Sequence, residues 1–266
     1  MAEASRTVLV TGATGGIGRA VCERLARAGR RLILAARDTT KLDALCGVLP
    51  QPPAGTEAHA WIAVDMADDA SVAAFAAELA QRRVVLDGVV LMPPQEPPTS
   101  DPFPPSERWR EILQSAFIGP LALLKAAVGA MQPDPAERRR AKVVIISGIS
   151  SAQVLGHYAT SNVIRLAWLA EAKTLAFALG ERGIHVNTLS LGGTLTPWYT
   201  ASLQRRASAA GMTFEERLSE ETANIPLRKY GQPEEVAAAV DALLSDVTDH
   251  ITGINLLHDG GFTRAY

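Results

Sequence analysis

Short apolar runs alternate along the chain with longer stretches whose apolar positions recur every three or four residues. That alternation predicts strand, helix, strand from one end to the other. Thr7-Val8-Leu9-Val10 reads as a buried strand bounded by glycine, and Ile17, Val21, Leu25 and Ala28 then keep helical spacing up to Gly29, which is placed to end the helix. Further strands are predicted at Arg31 to Ala36, Ala60 to Val64 and Asp87 to Leu91. The later ones fall at Lys142 to Ser147, with a continuation to Ser151, at His185 to Ser190, and at Ile254 to Leu257. Helical patterns run from Val72 to Leu79, onward from Ser106 with that serine as N-cap, and from Tyr158 to Leu179 with Gly180 behind. A final one opens at Pro233 with Glu234 and Glu235 in its first turn. Pro50 to Gly55 is a loop by composition, and residues 134–140 read as an exposed polar connection. The prolines from Pro97 to Pro105 allow neither helix nor central strand, so this stretch is expected to run extended and to wall one side of a cleft.

Between the first strand and the first helix stands Thr11-Gly12-Ala13-Thr14-Gly15-Gly16-Ile17-Gly18. Glycines let a backbone approach a pyrophosphate closely, and a helix N-terminus aims unpaired N–H groups at it. With a strand before it and a helix after it, this turn predicts dinucleotide binding through Gly12, Thr14, Gly16, Ile17 and Gly18. At the end of the second strand Ala36 occupies the usual acidic position and Arg37 follows it. A guanidinium there suits a 2′-phosphate and argues for NADP, although it also reads as a solvated residue at a strand end. Asp38 keeps NAD possible, because a carboxylate one residue later could reach the ribose.

Composition narrows the classes further. A chain of 266 residues buries a full core as one domain spanning 1–266, and no internal boundary stands out. With 26 basic and 28 acidic residues there is no nucleic-acid footprint. Cys22 and Cys46 lack metal-type pairing, Cys22 reads as buried filler, and a disulfide framework is not expected. No apolar run approaches the ~18 residues of a membrane span and no signal-peptide core is evident, so a cytoplasmic protein without membrane contact is expected. The five histidines show no paired metal spacing, and only His157, beside Tyr158, is a candidate proton relay. Adjacent helical residues point apart, which counts against that role.

The glycine turn resembles the TGxxxGIG fingerprint of the short-chain dehydrogenase/reductase family. Val64-Asp65, His185-Val186-Asn187, Ile225-Pro226-Leu227, Gly231-Gln232-Pro233-Glu234-Glu235, Ile251-Thr252-Gly253 and Asp259-Gly260-Gly261 match the same family in order. The resemblance covers essentially the whole chain and implies a Rossmann-type, doubly wound, seven-stranded parallel sheet with helices on both faces. It is nearer to divergent members similar to 3-oxoacyl-carrier-protein reductases. It implies Asp65 and Met66 beside the adenine, Met92 at the end of the fourth strand, and Thr194 and Thr196 near the carboxamide and phosphates. Asp65 reads alternatively as the N-cap of the next helix. Residues 194–221 would form a substrate lid, with Pro197, Trp198, Tyr199, Leu203, Met212 and Phe214 as its apolar face and Arg205 and Arg206 available to an acid. The long helix after Tyr158 and the seventh strand would build a homodimer or homotetramer.

The resemblance thins where the family does its chemistry. Leu91-Met92-Pro93-Pro94 stands in place of Asn-Asn-Ala-Gly, Ala116 in place of an asparagine, and Gly148 in place of the catalytic serine. Tyr158 keeps the tyrosine position, but Asn162 replaces the lysine four residues on. Asn162 could still hold the nicotinamide ribose; it carries no charge to assist the phenol. Arg165, one further turn along the same face, supplies that charge if it turns inward, and is a surface residue otherwise. Ser147 or Ser150 presents a hydroxyl to substrate, or simply satisfies a turn. The leading expectation is an NADP-dependent oxidoreductase acting on a small-molecule carbonyl, secondary alcohol or acyl substrate, with Tyr158, Ser147, Ser150 and Arg165 as its catalytic group and no metal. The alternatives are a non-redox enzyme (dehydratase, cyclase or decarboxylase) and a nucleotide-binding regulatory protein on the same fold.

Overall fold

Seven strands, β1 (Thr7–Thr11), β2 (Arg31–Ala36), β3 (Ala60–Ala63), β4 (Gly88–Leu91), β5 (Ala141–Gly148), β6 (Ile184–Leu191) and β7 (Asn255–His258), form one parallel sheet in the order β3-β2-β1-β4-β5-β6-β7. The computed structural model describes residues 6–134, 136 and 139–265. Of the connection expected at 134–140, residues 135, 137 and 138 lie outside the described residues; Asp134 and Arg139 pair across it as an antiparallel bridge.

Parallel sheets are covered on both faces, so their strands are apolar throughout. Successive side chains of β1 and β5 divide accordingly. Leu9, Val143 and Ile145 enter one core, with Phe75, Leu124 and Trp168. Val8, Val10, Val144 and Ile146 enter the other, with Val21, Leu25 and Val240. The first core lies under α3 (Asp69–Gln81), α4 (Ser106–Leu113), α5 (Gly119–Gly129) and α6 (Ala159–Leu179). The second lies under α1 (Gly16–Arg27), α2 (Thr39–Val48) and α9 (Pro233–Leu244). Two further helices, α7 (Pro197–Ala209) and α8 (Phe214–Thr222), fall in the stretch expected to cover substrate. The strand order reverses between β1 and β4, and in such sheets the crevice lies beyond the carboxyl ends of the strands at that point.

Several local expectations change. Ser106 is the first helical residue of α4 and Pro105 holds the cap position, with no side-chain cap. Asp68, not Asp65, caps α3 by accepting from Ala70 N. The fifth strand ends at Gly148, and Ile149–Ser151 turn as a 3-10 helix. Tyr158 precedes α6 instead of lying within it.

Residues Ser106–Gly129 form one continuous helical stretch of 24 residues, joined by a π turn at Gln114–Ile118. An 18-residue window within it reaches a mean hydropathy of 1.5, enough for a membrane span by length and composition alone. Here Ile112, Leu123, Leu124 and Ala127 from it pack into the first core. Its close approach to the turn after β3 rests on Gly119, where a β-carbon would stand 1.8 Å from the carbonyl oxygen of Met66. Gly119→Ala should therefore destabilise the protein by about 3 kcal/mol, read as a lowered urea midpoint with an unchanged m-value.

Candidate active site

The cleft begins at the glycine turn. Gly12 takes φ +59°, and a β-carbon on Gly18 would stand 2.1 Å from the Gly12 carbonyl oxygen. Only glycine at 18 lets α1 start this close beneath the turn. Gly15 caps α1 with no side-chain hydrogen bond, and no acid lies in the first turn. The N-terminal N–H groups and the positive end of the helix dipole are thus left to an anion, and the turn fits a pyrophosphate. Gly16 serves a different contact: its α-carbon lies under Thr196 and Pro197 at the start of α7, where a β-carbon would meet Pro197 Cδ at 2.9 Å.

Thr11 ties this turn to the next strand. Its hydroxyl accepts from Met92 N at 2.7 Å and donates to Val90 O at 3.4 Å. Met92 in turn lies against Gly12. At the far end of β2, Arg37 is exposed and makes no ion pair among the described residues. Asp38 caps α2, accepting from Lys41 N at 3.0 Å, and its other oxygen pairs with Lys41 Nζ at 3.0 Å. The carboxylate is held below its ordinary pKa by those bonds. Asp65 accepts from Ala67 N, and its own N–H donates to Ser71 Oγ. Met66 is buried in the first core.

Beyond β4 the chain from Pro93 through the proline-rich stretch has no regular structure, and it is fastened at three points. Gln95 accepts from Arg165, Glu96 pairs with Arg108 and accepts from Ser115, and Thr99 bridges to Tyr158 while its carbonyl accepts from Ala159 N. Pro93, Pro94, Gln95 and Glu96 line a cavity of about 20 Å³ with Ala116, Ser147, Arg165 and Trp168.

Arg165 is turned inward. Its guanidinium carbon lies 5.2 Å from the centroid of the Tyr158 ring, and its terminal nitrogens donate to Ser150 Oγ at 3.2 Å and Gln95 Oε1 at 2.7 Å. Burial lowers its pKa from the ordinary value, opposed by the Tyr158 charge. Asn162 does not face the same way: its amide donates to Leu155 O at 3.1 Å and accepts from Leu155 N at 3.4 Å, fixing the loop ahead of Tyr158. Ser147 is buried with its hydroxyl unpartnered, behind the cleft and against the small cavity. Ser151, which the sequence did not single out, shares a 2.9 Å hydrogen bond with Ser190. His157 lies against Tyr158 with ring centroids 4.4 Å apart and the rings tilted by 46°. The rule that neighbours on a helix diverge does not bind them, because both precede α6. No cluster of metal-ligating side chains occurs among the described residues.

Above the cleft Thr194 is buried and bridges to Gly231, while the Thr196 hydroxyl accepts from Tyr199 N to cap α7. The carboxylate of Glu221 gathers α7, α8 and the segment before α9. It accepts from Tyr199 and Tyr230 on one oxygen and pairs with Arg206 and Arg217 on the other. Burial, then hydrogen bonding to Tyr199 and the charge of Glu221, push the Tyr230 phenol above its ordinary pKa. Arg206 is thereby occupied, and Arg205 is exposed. Leu203 is fully buried beneath α7, whereas Trp198 is 69% exposed.

A dinucleotide-type sheet, a glycine turn shaped for a pyrophosphate, and a tyrosine in the adjoining crevice define an oxidoreductase scaffold. Residues 12–263 match the family model described as enoyl-(acyl carrier protein) reductase, and the chain belongs to the short-chain dehydrogenase/reductase family. A protein assigned as the ketoacyl reductase of the monensin polyketide synthase of Streptomyces virginiae is 30% identical over 97% of each chain. Among solved structures, the L-sorbose reductase of Gluconobacter frateurii, complexed with NADPH and L-sorbose, is similar with a TM-score of 0.87 at 21% identity, over 98% of each chain. An NADPH-bound short chain oxidoreductase of Pseudomonas aeruginosa PAO1, containing an atypical catalytic center, gives 0.81 at 24% identity, over 98% of each chain.

Thr11→Val keeps the shape of the side chain but leaves the Met92 N–H unpaired beside the glycine turn. Its cost should be about 1–3 kcal/mol of stability, measured by chemical denaturation.

Proposed function

We propose that the protein is an NADP-dependent oxidoreductase that transfers hydride to or from a carbonyl or secondary alcohol of a small or acyl substrate. The observation that carries the coenzyme preference is the contrast at the end of β2: Arg37 is exposed and without an ion pair, while the Asp38 carboxylate is spent on α2 and Lys41. A carboxylate that caps a helix is withdrawn from a ribose, and an unpaired guanidinium suits a 2′-phosphate. Both structural neighbours named above were solved with NADPH, which points the same way.

Gly12, Thr14, Gly16, Ile17 and Gly18 would hold the pyrophosphate, Arg37 the 2′-phosphate, and Asp65 and Met66 the adenine end. Met92, Asn162, Thr194 and Thr196 would flank the nicotinamide half. The side chains of Asn162 and Thr196 are already engaged with Leu155 and Tyr199, so these two would contribute position and backbone groups. The chemistry supplied by a bound reduced nicotinamide is a hydride for the carbonyl carbon. Tyr158 gives the proton to the carbonyl oxygen and recovers one from solvent. Ser150 accepts from Arg165, which leaves the serine's own proton free to donate to the same oxygen. Arg165 offers positive charge to the phenolate that proton donation leaves behind, a task for which Asn162 has no charge. Ser147 stands back from this group, in the wall of the small cavity.

The tie between Asn162 and Leu155 also supports a second reading, a non-redox enzyme or nucleotide-binding regulator that keeps the nucleotide seat. In either case residues 194–221, which take in α7 and all but the last residue of α8, would cover the substrate. The exposed apolar side chains Val163, Leu166 and Phe177 along α6 suit pairing with a second copy, as a homodimer or homotetramer.

NADPH should bind at least about tenfold tighter than NADH in a fluorescence titration, and Arg37→Ala should remove that preference. Tyr158→Phe should lower kcat about 100-fold or more in NADPH oxidation across a panel of ketones and 3-oxoacyl thioesters, with NADPH affinity unchanged. Tight NADPH binding with no turnover of any carbonyl would favour the second reading.

A further inference from the structure

The guanidinium of Arg165 rests on the bare α-carbon of Gly148. A β-carbon there would stand 2.4 Å from Cζ and from one terminal nitrogen, and 2.8 Å from Nε. A side chain at 148 and the inward guanidinium thus exclude one another. The head group is then fixed by Ser150, Gln95 and the ring of Tyr158, none of which is an acid. No carboxylate pairs with Arg165 among the described residues. Glu96, in the wall of the same cavity, is committed to Arg108 and Ser115.

A guanidinium has five N–H donors, and two are accounted for. Taking a cation out of water against neutral partners alone is costly. Lys142 shows how this chain treats a buried cation that only holds the fold: its ammonium reaches a carbonyl, a hydroxyl and the Asp249 carboxylate together. Arg165 has no such set. It is half-buried in the cleft, and its remaining N–H donors meet no acceptor among the described residues.

We propose that the Gly148–Arg165 pair is the subsite for a substrate carboxylate, and that the preferred carbonyl substrates are oxo acids with the acid group within one carbon of the carbonyl. This assignment rests on the reading of the chain as a reductase with Tyr158 as proton donor. A planar guanidinium takes a carboxylate through two parallel charge-assisted hydrogen bonds. Because the guanidinium lies over the Tyr158 ring, an acid held on its free edge sets the neighbouring carbonyl beside the phenol. The same cation then faces the alkoxide that forms when the carbonyl is reduced.

Titration calorimetry on NADPH-saturated protein tests this with 2-oxobutanoate, 3-oxobutanoate and their methyl esters, and NADPH oxidation is followed with the same four compounds. At least one acid should bind at least about tenfold tighter than its ester, and the difference should vanish in Arg165→Gln and in Gly148→Ala. Tyr158→Phe should keep the acid's affinity while losing turnover. Arg165→Gln removes the charge and the guanidinium fork while leaving Gly148 in place, so it reads the subsite even should Gly148→Ala fail to fold. Equal affinities for acid and ester in the unaltered protein, no binding of either, or a preference that survives Arg165→Gln would overturn the assignment. Absence of NADPH binding would instead sink the reductase reading, and the acid–ester comparison on cofactor-free protein would still decide the subsite.

Discussion

One contact governs where everything else in the cleft can stand: the α-carbon of Gly18 beneath the carbonyl of Gly12. It brings the start of α1 directly under the turn that leaves β1. The uncapped end of that helix therefore faces outward at the point where the strand order reverses. Any side chain at 18 would push helix and turn apart and misdirect the N–H groups. Thr11 then passes the position of the turn to β4, and Met92 carries it to the mouth of the proline-rich stretch. The glycine turn and the mouth of the proline-rich stretch are thus joined by a few hydrogen bonds and close approaches.

At the chemical end the sheet sets the frame and a side chain from α6 fills it. β5 ends on a glycine, and the room left there is taken by Arg165 from α6. The proline-rich stretch completes the seat, since Gln95 meets the guanidinium and Thr99 is bridged to Tyr158. Rigid prolines have a physical use in this setting. They lower the freedom lost when a long loop is held against the body of the protein.

Much of the fold was legible because parallel strands buried on both faces read as plain apolar runs between turn residues. All seven strands lie where those runs fall; their ends shift by a residue or two, except that the fifth stops three residues short of Ser151. The helix α2 gave little signal, since only Leu42 and Leu45 of it are buried and its start is marked by Asp38, a residue already weighed for another task. The helices α7 and α8 were obscured similarly by mixed polarity. The glycine turn was readable since its chemistry lies in the backbone, which sequence spacing controls directly. The inward course of Arg165 was not decided by spacing alone. It depends on the absence of a β-carbon at 148, seventeen positions earlier and on another element, and only the folded chain brings the two together. The engagement of Asn162 with Leu155 was hidden for the same reason, because it depends on the path of the short loop before Tyr158.

The carboxylate of Glu221 has a mechanical meaning as well as an electrostatic one. Two phenols and two guanidiniums from α7, α8 and the stretch before α9 converge on a single pair of oxygens. Sliding either helix alone would strand charge in a poorly hydrated spot, so the low-energy displacement carries all three segments as one plate. Where that plate meets the sheet, Gly193 and Gly231 are held together by the Gly231 N–H to the Gly193 carbonyl and by the Thr194–Gly231 bridge. One carboxylate thus makes three separate segments of the chain a single mechanical unit.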